Sequence, residues 1–491
     1  MRKIIESQMA FGEVDISKIK FDLRSRDEIP KLLMGLQYIY CTPKIRDEVF
    51  QILEEIVPEG TDSDNGRPGM LLWKILVLGT LRLNCNWDYD KVKEIADNHK
   101  TLRQMLGHGD FYADDYKYPI QTIKDNVSLL TPEVLDRINQ IVLKAGHNLV
   151  KKNEDLRGRC DSFVVETDVH YPTDINLLFD AMRKVINLVA GVCDKLGLSC
   201  WRQNAYNVRK LKRLYRKAQS LKRSKAKKED KVKEKEERIT KAHREYIDQA
   251  GVYLEKAKAT LDFLLSTNRL NVITYDTIKH YMWHAVRQID QIHRRVLNGE
   301  KIPHEEKVFS IFEEHTEWIS KGKAGVPQEL GLKVCVVEDQ YGFILNHMVM
   351  RKTTDEKIAI PFIRATKERF PQLSSCSFDK GFYSPTNRTQ LAQMLDLVVL
   401  PKKGRRSEEE RTFESSDEFV RQRKQHPAVE SGINALENHG LDRCLDHGLR
   451  GFERYVVLAV VSRNIQILGA IIWKKKFRRF QREQVQKYNA A

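Results

Sequence analysis

The eight cysteines include no CxxC pair, and the closest two, Cys193 and Cys200, have no neighbours at structural-zinc spacing. A disulfide framework is therefore not expected, and the thiols read as free and reduced. No signal peptide or lipidation signal marks Met1-Arg-Lys-Ile-Ile, so a cytoplasmic protein with no membrane partner is expected. The longest apolar stretch, residues 456–472, is broken by Ser462, Arg463, Asn464 and Gln466, and reads as a core helix instead of a membrane span. HExxH is also missing. His280 and His284 stand at i, i+4, as a zinc pair does, but no acidic third ligand follows at helix spacing. Acidic residues run short as well: 68 Asp and Glu face 84 Lys and Arg, a formal charge of +16. That imbalance favours a polyanionic partner, because neutralising phosphates releases counterions.

What is present is a chain of 491 residues, 41% hydrophobic and 31% charged, long enough for two or three domains with cores of their own. Residues 1–150 carry helical periodicity and form an expected all-α N-terminal domain, interrupted by a loop at 58–69. Three short helices between 70 and 107 fit either a helix-turn-helix variant or a small bundle that only supports the rest. Residues 201–329 form an expected basic helical insertion. Between 202 and 245 it holds 18 Lys or Arg against 6 Asp or Glu, with apolar residues at three-four spacing. An antiparallel helical hairpin with its tip near 224–230 is the simplest structure for it. Its basic face is either solvated or a DNA or dimer contact. Residues 474–491 are a basic tail with interleaved aromatics.

The remaining segments, 155–200 and 330–473, read as one catalytic domain. Phe163 to Val165 is a short buried strand ending in a turn at Pro172. Lys333 to Glu338 and Phe343 to Met350 form a β-hairpin around Gly342, and Asp355 can cap the helix that follows. Leu373 to Phe378 is a further strand, a helix runs over 388–395, and Leu397 to Leu400 is a last strand. Without the helical insertion this is the element order of a ribonuclease H-like α/β domain with a mixed sheet.

Three carboxylates have telling contexts. Asp168 follows the first strand, Asp379 follows the strand 373–378, and Glu430 lies in the helical run 426–437. Such a set suits two magnesium ions, or manganese in their stead, because these ions prefer oxygen ligands. Glu166, Asp174 and Glu437 are their rivals. Lys380 and the Lys402-Lys403 pair are expected phosphate contacts on DNA.

At these residues the chain resembles the DDE transposases of bacterial insertion sequences, most closely the ISNCY group. Thr167-Asp-Val-His-Tyr-Pro-Thr-Asp174 with Asp180-Ala-Met-Arg183 is similar to the segment carrying the first catalytic aspartate. Ser377-Phe-Asp-Lys-Gly-Phe382 resembles the second, and His426-Pro-Ala-Val-Glu-Ser-Gly-Ile433 the glutamate. Residues 66–107 resemble the N-terminal domain of such enzymes. The resemblance implies a ribonuclease H-like core, magnesium, double-stranded DNA as partner, and strand transfer of an element's terminal repeats by a dimer or larger assembly. A nuclease of the same fold that cuts without joining and an inactive DNA-binding regulator are the alternatives. One departure is visible: related families often carry a Lys seven residues after the glutamate and an Arg four before it. Here those positions hold Glu437 and His426, and the resemblance leaves Arg421, Arg423 or Lys424 as the expected substitutes for the lysine that grips DNA phosphate.

Overall fold

The computed structural model describes residues 3–6, 8–9, 12–57, 69–109, 115–150, 155–223, 229–320 and 328–489. The expected loop at 58–69 lies outside these residues except for Gly69, and so do 224–228 of the expected hairpin tip. By its contacts the chain divides into two compact units, 1–168 with 319–491, and 169–318.

The first unit is built on a seven-stranded mixed sheet. Its strands are β1 (Leu156–Thr167), β2 (Glu317–Ser320), β3 (Gln328–Glu338), β4 (Ile344–Val349), β5 (Leu373–Phe378), β6 (Leu397–Val399) and β7 (Arg443–Cys444). The spatial order is β2-β3-β1-β5-β6, with β4 also on β3 and β7 also on β1. β1 runs antiparallel to β3 and parallel to β5, and β5 is parallel to β6. The β3–β4 hairpin turns where expected, with Gly342 at φ 87°, a conformation that favours glycine. β5 has the expected bounds. β1 does not: it starts seven residues before Phe163, at Leu156, and alternates buried with half-buried positions through Arg157, Arg159 and Asp161.

Period-two alternation gives the sheet two apolar faces. Phe163, Val165, Val334 and Val336 share one core with the N-terminal helices and the C-terminal helix (Gly448–Asn489). Cys160, Cys335, Val337 and Phe378 face the other way, onto Ile358, Phe362 and Ile363 of the helix Asp355–Arg369. The N-terminal helices are thus part of the sheet's own packing and not a separate domain. Within them the helix Leu72–Asn84 is buried at every position but Lys74. A helix apolar on all sides belongs inside a core. Arg103 turns inward to donate to the Asp97 and Tyr116 carbonyls.

The C-terminal helix is long and apolar enough, over Gly448–Gln486, to cross a membrane by length and composition, yet 67% of its most apolar window is buried in the protein. It presses on the helix Ile29–Cys41 at Gly35 and Gly469. A Cβ on Gly469 would lie 1.8 Å from the Lys31 carbonyl oxygen. The basic tail continues the same helix, with the Arg24 guanidinium 5.7 Å from the Phe480 ring centre.

The second unit is helical. Asn204–Arg223 and Glu229–Ser266 form the expected antiparallel hairpin, held by Lys217 to Glu245 at 2.7 Å and by Trp201 Nε1 donating to Thr260 Oγ1 at 3.0 Å. The helix Asp174–Lys195, assigned above to the catalytic domain, shares the core of this hairpin and of the helix Val272–Ile292 through Leu178, Met182, Tyr246 and Ile278. The boundary therefore falls at 168–169 and 318–319 instead of 200 and 330.

Candidate metal-binding carboxylates

β1 and β5 run parallel, and Cys160 pairs with Phe378. The next residue on each chain is an aspartate, Asp161 on β1 and Asp379 just past β5. Both side chains fall on the face opposite Cys160 and Phe378. The helix Ala428–Leu436 covers that face with Val429, Ile433 and Leu436 and carries Glu430 in its first turn. Gly432 permits the approach, since a Cβ there would sit 1.7 Å from Glu338 Oε2 on β3. Glu338 is itself fixed by Arg159 Nη2 at 2.7 Å, and Arg159 also donates to the Asp339 carbonyl. Burial pushes the Glu338 carboxyl up to about 7 although Arg159 beside it pulls the other way.

The electrostatics single out Asp161. Burial pushes its carboxyl up to about 6, and the negative charges of Asp379, Asp355 and Glu430 push in the same direction. The Ser162 amide, donating to its Oδ1 at 2.7 Å, offsets part of this. Asp355 has its charge matched: Lys333 Nζ lies 2.9 Å from Oδ2, and Ser162 Oγ donates to Oδ1 at 2.6 Å. It was expected only to cap a helix, but Thr354 holds the cap position and the carboxylate reaches across to β1 and β3. A Cβ on Gly381 would lie 3.4 Å from Asp355 Oδ2 and 3.9 Å from Asp379 Oδ2, so that glycine leaves room beside both groups. His426 hydrogen-bonds through Nδ1 to Ser377 Oγ at 2.9 Å. Burial lowers its pKa against the pull of Asp379 and Glu430, which favours the neutral ring.

Asp168, the expected partner of Asp379 and Glu430, does not join them. It lies seven residues beyond Asp161, which at about 3.3 Å per residue is roughly 23 Å along the strand. There it is half exposed, 3.7 Å from Arg443, which also reaches Glu166 at 3.4 Å. β7 is the neighbour at that end, pairing Glu166 with Arg443 and Thr167 with Cys444. Asp174 is likewise committed elsewhere, accepting two hydrogen bonds from Arg295 at 2.6 and 2.9 Å. Asp379 and Glu430 both bear on the charge of Asp161, which stands as the candidate third carboxylate in place of Asp168. The signal for Asp161 was an apolar residue followed by Asp in both Cys160-Asp161 and Phe378-Asp379. It was masked because the polar first half of β1 reads as a loop.

Among the expected phosphate contacts, Lys380, Lys403, Arg421 and Lys424 are exposed. Lys402 Nζ is held by Glu410 at 2.6 Å, and Arg423 lies 4.0 Å from Glu414. Comparison with protein families, with curated proteins and with solved structures found no match.

Proposed function

We propose that the chain is a DNA strand-cleaving and strand-joining enzyme, a DDE-type transposase with a ribonuclease H-like core, and that Asp161, Asp379 and Glu430 are its metal-binding carboxylates. The observation that carries this reading is the position of Asp161 on β1 beside the end of the parallel strand β5, which leads directly into Asp379, with Glu430 on the helix that covers this face. The order β4-β3-β1-β5-β6, with β1 central and antiparallel only to β3, supports the ribonuclease H-like reading.

The donor set suits magnesium: these are carboxylate oxygens, and Asp161, raised first by burial and then by the like charges beside it, would be relieved by a cation. Bound magnesium would activate water and stabilise the leaving oxygen of a phosphodiester. The chain's own residues prepare for this. Ser162 orients Asp161 from the backbone, and Arg159 with Glu338 and Gly432 sets the depth of the glutamate helix. His426 adds no positive charge to the cluster while it is neutral. That distinguishes it from the arginine usual in the families it resembles. Lys380, Lys403, Arg421 and Lys424 supply cations for a phosphate backbone.

The test is cleavage and joining of a supercoiled plasmid bearing the element's ends, with magnesium, by the unsubstituted protein and by Asp161→Asn. Joined products that need magnesium and vanish in the variant support the reading. Cleavage without joining would make the protein a nuclease. Binding without cleavage would make it a regulator.

A further inference from the structure

We propose that His280, His284 and Glu314 bind one divalent transition ion of the zinc class, a clip that ties the helix Val272–Ile292 to the segment 310–316. This site lies wholly within the unit 169–318 and does not depend on the transposase reading.

The local structure aims the three groups. His280 and His284 are one helical turn apart, so both rings project from the same face. The segment that brings Glu314 is anchored by Ile311 in the helical core and shaped by Ser310 Oγ. That hydroxyl accepts from the amides of Phe312 and Glu313 at 3.2 and 2.9 Å. Both histidines then meet one oxygen: Glu314 Oε1 lies 2.8 Å from His280 Nε2 and 2.5 Å from His284 Nε2. The donor atoms of all three residues fall within 4.8 Å of one another, the one group among the described residues to do so. The acidic third ligand that helix spacing did not offer thus comes from a separate segment of the chain.

The geometry is one step short of a metal site. An ion with bonds near 2.0–2.1 Å holds tetrahedral ligands about 3.4 Å apart. Glu314 Oε1 must withdraw by less than about 1 Å and the two imidazole nitrogens must close by up to about 1.4 Å to reach that spacing, and the half-exposed side chains of Glu314 and His280 are free to move. Two imidazoles and a carboxylate are the mixed set that zinc accepts, whereas magnesium prefers oxygen alone. With three protein ligands, and with His280 46% exposed, a fourth position stays open to water.

His284 is 1% exposed, and its Nε2 is turned onto Glu314 Oε1, so the buried ring presents this nitrogen to the cluster. The nearby cation of Arg287 is engaged elsewhere, stacked 3.9 Å from the centre of the Trp283 ring.

The test uses the full chain, stripped with a chelator and then titrated with Co²⁺, whose visible absorption is strong in four-coordinate and weak in six-coordinate oxygen sites. One equivalent with strong bands is expected, displaced by Zn²⁺. His280→Gln and Glu314→Gln, both at half-exposed positions, should fold normally by circular dichroism and lose the bands. Their zinc affinity should fall by more than the roughly 10–100-fold that loss of an outer-shell partner costs. Asp161→Asn should keep the bands. Weak or absent bands in the unsubstituted protein, or bands retained in either of the first two variants, would overturn the proposal.

Discussion

The middle and the end of β1 each carry an aspartate, and their neighbours make them different groups. Asp161 is half-buried and surrounded by like charge, so its carboxyl is pushed up to about 6. Asp168 is half exposed and has Arg443 within 3.7 Å. The first group has its charge disfavoured by burial and by its neighbours, and the second has a cation beside it. What separates them is the neighbouring strand: β5 at the middle of β1, which leads into Asp379, and β7 at its end, which contributes an arginine. A carboxylate at a strand end is therefore not a site in itself. On the reading proposed above, it becomes a candidate where a parallel neighbour delivers a second carboxylate at the same height.

The sharpest way to break this contrast is to compare Asp161→Asn with Asp168→Asn in plasmid cleavage. Asp161→Asn should lower the rate by at least about 10²-fold, the scale of losing one preorganised charge-stabilising group. Asp168→Asn should stay within about threefold of the unsubstituted protein, a difference of less than about 1 kcal/mol. The reverse result would put the site at the other end of the strand.

The same pair differs in stability. The folded Asp161 carboxyl lies near 6 against an ordinary 3.8, so the native state binds this proton more tightly than the unfolded chain. Its contribution is fully present below pH 4 and is lost as pH rises through 6. In EDTA at pH 8, Asp161→Asn should therefore be more stable than the unsubstituted protein, by at most about 3 kcal/mol for a shift of this size. The gain should vanish near pH 4 and shrink when magnesium is added, as read by urea denaturation. Equal stability at both pH values would mean that the fold does not raise this carboxyl.

Gly432→Ala tests how the glutamate helix is seated. Its Cβ would overlap Glu338, a side chain held by Arg159, so a loss of about 1–3 kcal/mol is expected. Cleavage should fall with it as Glu430 is displaced. Unchanged melting and activity would show that the helix shifts freely. The smallest effect belongs to the far end of β1. Arg443→Ala removes two exposed ion pairs and should cost less than about 1 kcal/mol with cleavage intact.

Several parts of the fold were legible because their signals are local. The β3–β4 hairpin reads from alternation and Gly342, the strand 373–378 from its composition and its end at Asp379, and the helix bearing Glu430 from three-four spacing. The helical hairpin of the second unit reads in the same way, and its antiparallel pairing follows from apolar stripes that must face each other. β1 was legible only in its second half. Phe163, Val164 and Val165 announce a strand, whereas Arg157, Arg159 and Asp161 owe their extended form to pairing with β3 and β5.

By itself, the sequence determined the apolar periodicity, the excess of positive charge and two of the three candidate carboxylates, because each depends on residues a few positions apart. Tertiary structure alone decided the third carboxylate, since more than two hundred residues separate Asp161 from Asp379 and only strand register makes them neighbours. It also decided that the helix Asp174–Lys195 packs with the basic hairpin, and that Glu314 meets His280 and His284. These outcomes rest on long-range packing, where many partners of similar hydrophobicity compete and shape complementarity selects one.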